Sequence, residues 1–458
     1  VTSDIFHIGN AAGFANDRLD AGAPVVAALI ASGAPAALFY ETLAERTLAF
    51  AQRARLADPD AGFTPDLESF LAPVLADCVA HNIPVLGNFG AANPLGAARA
   101  VHALAQRLGI GTIKVAVVEG DDVRAALPGL QVQAWEAEPL FDVHRRDILA
   151  ANVYLGAQPI AAALALGADV VVTGRVTDSA LALAPLLHHF GWNEADWDLM
   201  AAGVLTGHLL ECGAQITGGY FADPGYKDVA GMASIGYPIA EVSADGGIVV
   251  TKPPGTGGRV DSQTVKEQIL YEIHDPAAYL TPDVTLDLSN VFVRDDGLDR
   301  VRVAGARGWP APETLKVTIS FEGGWLGEGE ISYAGPGAAA RARLAADTAR
   351  ARIERQFPGI AVRAEVLGLV SLFDGDSGAL AHAMGDCEWP DVRVRIAVNC
   401  DDEATAARAA REVETLYCAG PAGGGGVRRH VTRRVKTASC LIPRESVQPR
   451  IRLVAADE

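Results

Sequence analysis

The sequence predicts an α/β protein: a mainly parallel sheet with helices on both faces, then a β-rich segment and a C-terminal ferredoxin-like α+β domain. Three observations predict it. Up to about residue 280, short apolar runs alternate with helical patterns, as in strands covered on both faces by crossover helices. From about residue 281 the period becomes two, as in Leu315-Lys316-Val317-Thr318-Ile319-Ser320-Phe321, which predicts half-exposed antiparallel strands. After Gly335-Pro336-Gly337 the order is helix, strand, strand, helix, strand, compatible with a ferredoxin-like sandwich. The expected domains are residues 1–336 and 337–458, with that glycine-proline break as linker.

The first part reads as strands at Ile5–Ile8, Ala37–Tyr40, Ile83–Leu86, Ile113–Val118 and Asp169–Thr173. Between them, Asn93-Pro94 is an N-cap followed by proline at the first helical position, with Gly109 near the stop. Pro159 opens a helix that Gly167 closes, and a long helical stretch from Asn193 to Glu211 ends at Gly213. The second part reads as a helix Gly337–Gln356, strands Val362–Val370 and Val392–Val398, a helix from about Glu403 to Tyr417, and a last strand near Ile451–Val454.

Composition bounds the function. With 458 residues and half of them hydrophobic, large cores are available. No run approaches the roughly eighteen apolar residues of a membrane span. Val1-Thr2-Ser3-Asp4 runs straight into an apolar strand, so no signal peptide is expected. The net charge of −18 argues against nucleic-acid binding and fits a cytoplasmic protein. Six cysteines without a Cys-x-x-Cys pair and ten scattered histidines signal no zinc site. Glu119, Asp121 and Asp122 read as a solvated charge cluster rather than a Mg²⁺ site. No metal and no cofactor is expected.

In a parallel sheet the strands' carboxyl ends share one edge, where ligands bind. The first strand runs into Gly9-Asn10-Ala11-Ala12-Gly13, the second into Glu41, the third into Gly87-Asn88-Phe89-Gly90, and the fourth into Glu119-Gly120-Asp121. The fifth runs into Gly174-Arg175-Val176-Thr177-Asp178-Ser179. A structural turn needs one cap there, Asp178 or Ser179; it does not need Arg175. Asn10 and Asn88 alone would pass for turn residues. Together these ends nominate Arg175, Asp178, Ser179, Glu41, Asn10 and Asn88 as catalytic candidates, with Gly9, Phe89, Gly90 and Thr177 as substrate-binding ones. Gly9-x-x-x-Gly13 lacks the third glycine of a dinucleotide fingerprint.

Further binding candidates lie in glycine-rich loops, whose backbone amides beside cations can cradle anions. They are Cys212, Thr217, Gly218, Gly219 and Lys227, then Lys252, Gly257 and Gly258, then Gly424, Gly425 and Arg428. As a nucleophile Cys212 has no visible histidine partner, so a buried structural thiol is the stronger reading. A flexible hinge is the alternative for the glycine run before Arg428.

These segments resemble the acyclic terpene utilisation (AtuA) family: Ile8–Phe14, Thr173–Leu181, Leu209–Asp228, Ile235-Gly236-Tyr237-Pro238, Thr256-Gly257-Gly258, Tyr271-Glu272-Ile273 and Asp275–Leu280. The run from Gly420 to Arg428 is similar to the family's ferredoxin-like terminal domain. The resemblance implies a role in branched acyl-CoA or terpenoid catabolism, but no assigned catalytic set. The leading expectation is an enzyme with lyase, hydratase or hydrolase chemistry on an acyl thioester or carboxylated intermediate. A coenzyme A thioester is the candidate substrate, Asp178 or Glu41 the base, and Arg175 the anion clamp. The alternatives are a non-catalytic scaffold or partner of an acyl-CoA carboxylase, and a nicotinamide-dependent oxidoreductase. A homo-oligomer is the default assembly.

Overall fold

The computed structural model describes residues 4–135, 142, 147–369 and 391–456. The chain forms two compact units, Val1–Ser320 with Thr437–Glu458, and Phe321–Lys436.

The first unit is built on a ten-stranded sheet. Its strands in chain order are β1 (Ile5–Asn10), β2 (Ala36–Tyr40), β3 (Val85–Gly87), β4 (Val115–Glu119), β5 (Val170–Thr173), β6 (Ile239–Ser243), β7 (Ile248–Thr251), β8 (Phe292–Asp295), β9 (Val301–Ala304) and β10 (Arg450–Val454). Their spatial order is β8-β9-β7-β6-β1-β2-β3-β5-β4-β10. The five strands expected from the sequence stand side by side in the middle and pair in parallel. Alternate side chains bury equally. Leu38, Tyr40, Val85, Val117 and Val172 enter a core with α1 (Gly22–Ser32) and α3 (Pro94–Arg107). Phe39, Leu86, Ala116 and Val171 are just as buried on the other face. Such double coverage explains the unbroken apolar runs.

The sheet is mixed, which corrects the expectation of a mainly parallel one. Antiparallel β6, β7, β9 and β8 extend it past β1, and β10 closes the other side against β4. Antiparallel neighbours need only a tight turn, not a crossover helix. The turn between β6 and β7 is made by Asp245, whose Oδ1 accepts from the Ser243 hydroxyl and the Gly247 amide. The antiparallel part thus begins near residue 239, not 281.

Helix ends follow their local chemistry. The Asn93 side chain accepts from Gly96 N with Pro94 in the first turn, as the sequence predicts. The helices that matter for the site are α2 (Glu45–Ala57), α4 (Gln158–Ala165), α5 (Ala180–Phe190), α6 (Trp197–Leu210) and α7 (Ser262–Leu270).

In the second unit the strand Thr314–Ala334, which begins in the first unit, is followed by a helix (Ala338–Gln356), two strands (Ala361–Leu367 and Asp391–Cys400), a helix (Glu403–Glu414) and a long strand (Gly425–Pro443). The spatial order of these strands is Ala361–Leu367, Asp391–Cys400, Thr314–Ala334, Gly425–Pro443. Ile331, Tyr333, Val394 and Ile396 pack against Ala342, Ala345, Ala409 and Val413. Gly335 and Gly337, both at positive φ, turn the chain inside this unit rather than between units. The predicted last strand exists as β10 but belongs to the first unit. The second unit's own last strand starts within the glycine run, where cations between Val427, Val431 and Val435 hide its period. Val370, the predicted end of one strand, lies outside the described residues.

Candidate functional site

The parallel pairing of β1, β2, β3, β5 and β4 brings their carboxyl ends to one edge. There the Asn88 carboxamide donates to Glu41 Oε1 at 2.8 Å and accepts from Thr42 N at 2.7 Å and the Thr42 hydroxyl at 3.1 Å. Glu41 Oε1 also accepts from Leu43 N at 2.8 Å. Both contacts fall on Oε1, which leaves Oε2 to carry a proton.

Arg175 is buried to 1% exposure. Its Nε donates to Val176 O at 2.7 Å, Nη1 to Leu43 O and Nη2 to Asp178 Oδ1. Its guanidinium lies 4.6 Å from the Tyr154 ring centroid, a cation–π contact. Asp121 braces the turn from behind. Its Oδ2 accepts from Arg175 N at 2.8 Å and from Asn152 Nδ2 at 2.7 Å. A side chain on Gly174 would stand 2.5 Å from Asp121 Oδ1, so only glycine lets that carboxylate in. The Tyr154 hydroxyl donates to Glu45 Oε1 at 2.5 Å, and Lys316 Nζ lies 5.2 Å from the same ring.

Burial and mutual repulsion set the electrostatics. Desolvation, then the nearby Asp178 charge, pushes Glu41 up to about 8, against the pull of Arg175. Desolvation also raises Asp178, opposed by its contact with Arg175, although 37% of the Asp178 side chain is exposed. Desolvation moves Asp121 up to about 6.

The charge of Asp178 is felt by further groups. Desolvation pushes Glu211 up to about 7, opposed by His208, and Asp178 and Glu272 push the same way. Tyr279 is raised by burial and by Glu211, Asp178 and Glu272. Glu272 has φ +58°, a left-handed backbone uncommon outside glycine.

The nominated residues thus divide. Glu41, Asn88, Arg175 and Asp178 form one network. Ser179 is buried beside it, and its hydroxyl has no partner among the described residues. Thr177 is half-buried and ties its amide to Leu155 O. Asn10 has a bracing geometry: Nδ2 donates to Leu210 O at 2.5 Å and Glu211 O at 3.2 Å, and Oδ1 accepts from Ala12 N. Gly9 lies under Val25, Phe89 fills the core, and Gly90 touches Thr173 O where a Cβ would sit. Burial and the Glu211 charge drive the Cys212 thiol well above its usual range, so it is no ready nucleophile.

The glycine-rich loops bind one another. The amides of Gly236, Gly257, Gly258 and Arg259 donate to Gly257, Ser234, Ala230 and Thr217 carbonyls, and the Thr217 hydroxyl reaches Gly236 O at 2.5 Å. A Cβ on Gly257 would lie 1.9 Å from Gly231 O, on Gly258 2.5 Å from Thr217 O, and on Gly219 2.9 Å from Ala214 O. At Gly218 it would meet Val229. Lys227 pairs with Glu267, and Lys252 with Asp299 at 3.1 Å. Gly425 and the exposed Arg428 belong to the second unit's long strand, and Gly424 directly precedes it.

Tyr154, Glu45, Glu211, His208 and Tyr279 do not stand out as site residues in the sequence alone. Glu211 and Tyr279 sit within segments that carry the family resemblance, which is the one signal for them. A family model described as acyclic terpene utilisation family protein AtuA matches residues 6–453. No curated protein and no solved structure matches the chain.

Proposed function

The chain belongs to the acyclic terpene utilisation family AtuA, and on that premise we propose an enzyme of acyclic terpenoid and branched acyl-CoA catabolism that transfers protons at an acyl thioester or carboxylated intermediate. Hydratase or lyase chemistry fits best. The observation that carries this reading is the pairing, at the sheet edge, of a carboxyl buried away from any cation contact among the described residues with one bonded to a guanidinium. Glu41, pushed up to about 8, holds its proton at neutral pH. Asp178, bonded to the Arg175 guanidinium and the more exposed of the two, is the partner that this reading takes as ionised. Two neighbouring carboxyls with unlike surroundings, only one of them bonded to a cation, are suited to acid and base roles.

In this reading Glu41 is the general acid and Asp178 the general base. Arg175 is a positioning residue: its donors hold Leu43 O, Val176 O and Asp178, so the anion-clamp role passes from it. Asn88 orients Glu41 through Oε1. The surrounding Glu45, Glu211 and Glu272 favour an acyl end over a phosphate end at this spot. Lys227 and Lys252 are neutralised by Glu267 and Asp299, so coenzyme A phosphates would need other cations. The strand order of the second unit supports reading it as the ferredoxin-like domain.

The test incubates the protein with branched unsaturated and 3-hydroxy acyl-CoAs in D₂O and follows hydration, dehydration and deuterium uptake. Wild type turns over at least one thioester, and Glu41→Gln lowers the rate by about 10²–10⁴-fold. Full activity in a folded Glu41→Gln, Asp178→Asn double variant would overturn the assignment.

A further inference from the structure

Outside the Glu41–Asp178 network, His208 and Glu211 form a buried titratable pair. His208 is 1% exposed near the end of α6, and Glu211 follows one turn later, also buried. His208 Nδ1 lies 3.2 Å from Glu211 Oε1, and Nε2 lies 3.1 Å from Ile269 O. A carbonyl only accepts, so Nε2 carries a hydrogen in every protonation state. Nδ1 and Glu211 then face each other across one proton. Either neutral imidazole accepts it from a protonated Glu211, or imidazolium donates it to the carboxylate.

We infer that Glu211 and His208 share a single proton and make Glu211 a second acid–base group of the same site, with His208 as its positioning residue. This rests on the proton-transfer reading given above. The backbone around the pair is fixed. Asn10 Nδ2 holds Leu210 O and Glu211 O, and Gln268 Nε2 donates to His208 O at 3.3 Å. The charged and titratable groups that bear on the pair are Asp178 from the Arg175 loop, Glu272 and Tyr279 from the segment after α7, and Cys212 next in sequence. The Tyr279 ring lies 5.7 Å from the imidazole. Moving the proton from Oε1 to Nδ1 changes the charge on each partner and leaves the pair's net charge unaltered. Glu211 can therefore act as acid in one form and as base in the other.

Histidine-selective ¹⁵N NMR on the full chain tests the shared proton, with His208 assigned by the resonance lost in His208→Gln. Between about pH 5 and 9, where histidine normally titrates, Nε2 stays protonated. The Nδ1 titration lies above the ordinary midpoint in wild type. In Glu211→Gln the carboxamide cannot supply a negative partner, and the midpoint falls below it. Glu211→Asp withdraws the carboxyl from Nδ1 and moves the midpoint the same way. An Nδ1–H tautomer in wild type overturns the inference, as does an identical titration in wild type and Glu211→Asp. Deuterium uptake into a branched acyl-CoA adds the functional arm. If wild type labels the substrate and folded Glu211→Gln labels it equally fast, Glu211 is no part of the site. If wild type labels none of the thioesters, the proton-transfer reading fails, while the NMR result still decides the shared proton.

Discussion

At the scale of single residues, the site turns on which carboxyl keeps its proton. Glu41 is desolvated and lies near Asp178, so its neutral form persists up to about pH 8. An acid must be protonated to act, so the rate should fall as pH rises through that value. A rate–pH profile checks this, and a profile still rising at pH 9 would assign Glu41 as base instead. Arg175 tests positioning. Arg175→Lys keeps a charge but loses the planar fork that serves Leu43 O, Val176 O and Asp178 at once. It should reduce kcat by about 10²-fold with KM nearly unchanged, measured by steady-state kinetics on a variant of native Tm. Glu41, Asn88, Arg175 and Asp178 were legible because each directly follows a recognisable strand. Tyr154, His208 and Tyr279 were not. His208 sits in the apolar stretch Val204-Leu205-Thr206-Gly207-His208-Leu209-Leu210 and reads as a core histidine. Its role depends on a Glu211 contact and an Ile269 carbonyl that only the tertiary fold supplies.

At the scale of elements, glycines marked close approach correctly but the wrong ligand was inferred for them. The loops around Gly218, Gly236 and Gly257 donate their amides to each other, so the expected anion cradle is a self-bonded knot of turns. Gly207 shows the same principle in a helix. A Cβ there would lie 2.4 Å from Ser179 Cα, where α6 crosses the start of α5. Gly207→Ala should therefore push α6 from the Asp178–Ser179 turn and destabilise the protein by about 1–3 kcal/mol, read from urea unfolding. Gly111→Ala, with no neighbour within 4 Å of the new Cβ, should change stability by less than about 0.5 kcal/mol. Equal effects in the two variants would remove the packing account. The antiparallel strands β6 and β7 escaped prediction because Ile239–Val242 and Ile248–Val250 fall in the stretch whose apolar runs read as covered parallel strands. Their buried faces, not their pairing, set that composition.

At the scale of the whole molecule, several carboxyls are kept from water, and this fixes the direction of the pH dependence of folding. Besides Glu41, Asp121 and Asp283 are each pushed up to about 6 by desolvation. Asp283 Oδ1 accepts from Ala157 N at 2.8 Å, while Oδ2 is buried with no partner among the described residues. A raised carboxyl binds its proton more tightly in the folded than in the unfolded chain. Its contribution is complete below the unfolded value near 4 and is lost as pH climbs through 6 for the aspartates and 8 for Glu41. Asp198, Asp245 and Asp287 are moved the other way but lie at the surface, where solvent screens their effect. The net charge of −18 adds self-repulsion as the remaining acids ionise. Thermal stability should therefore peak on the acid side of neutrality and decline as pH rises from about 4 to 8. The loss reaches ~1.4 kcal/mol for every tenfold by which the folded chain out-binds the unfolded one for a carboxyl proton. Asp283→Asn isolates one contributor away from the site. It removes the charge that Oδ2 cannot place, so the variant should gain more Tm relative to wild type at pH 8 than at pH 4. Scanning calorimetry across that range decides it: a pH-independent difference would mean that Asp283 is ionised in the fold, and the proton account of this protein's stability would fall with it.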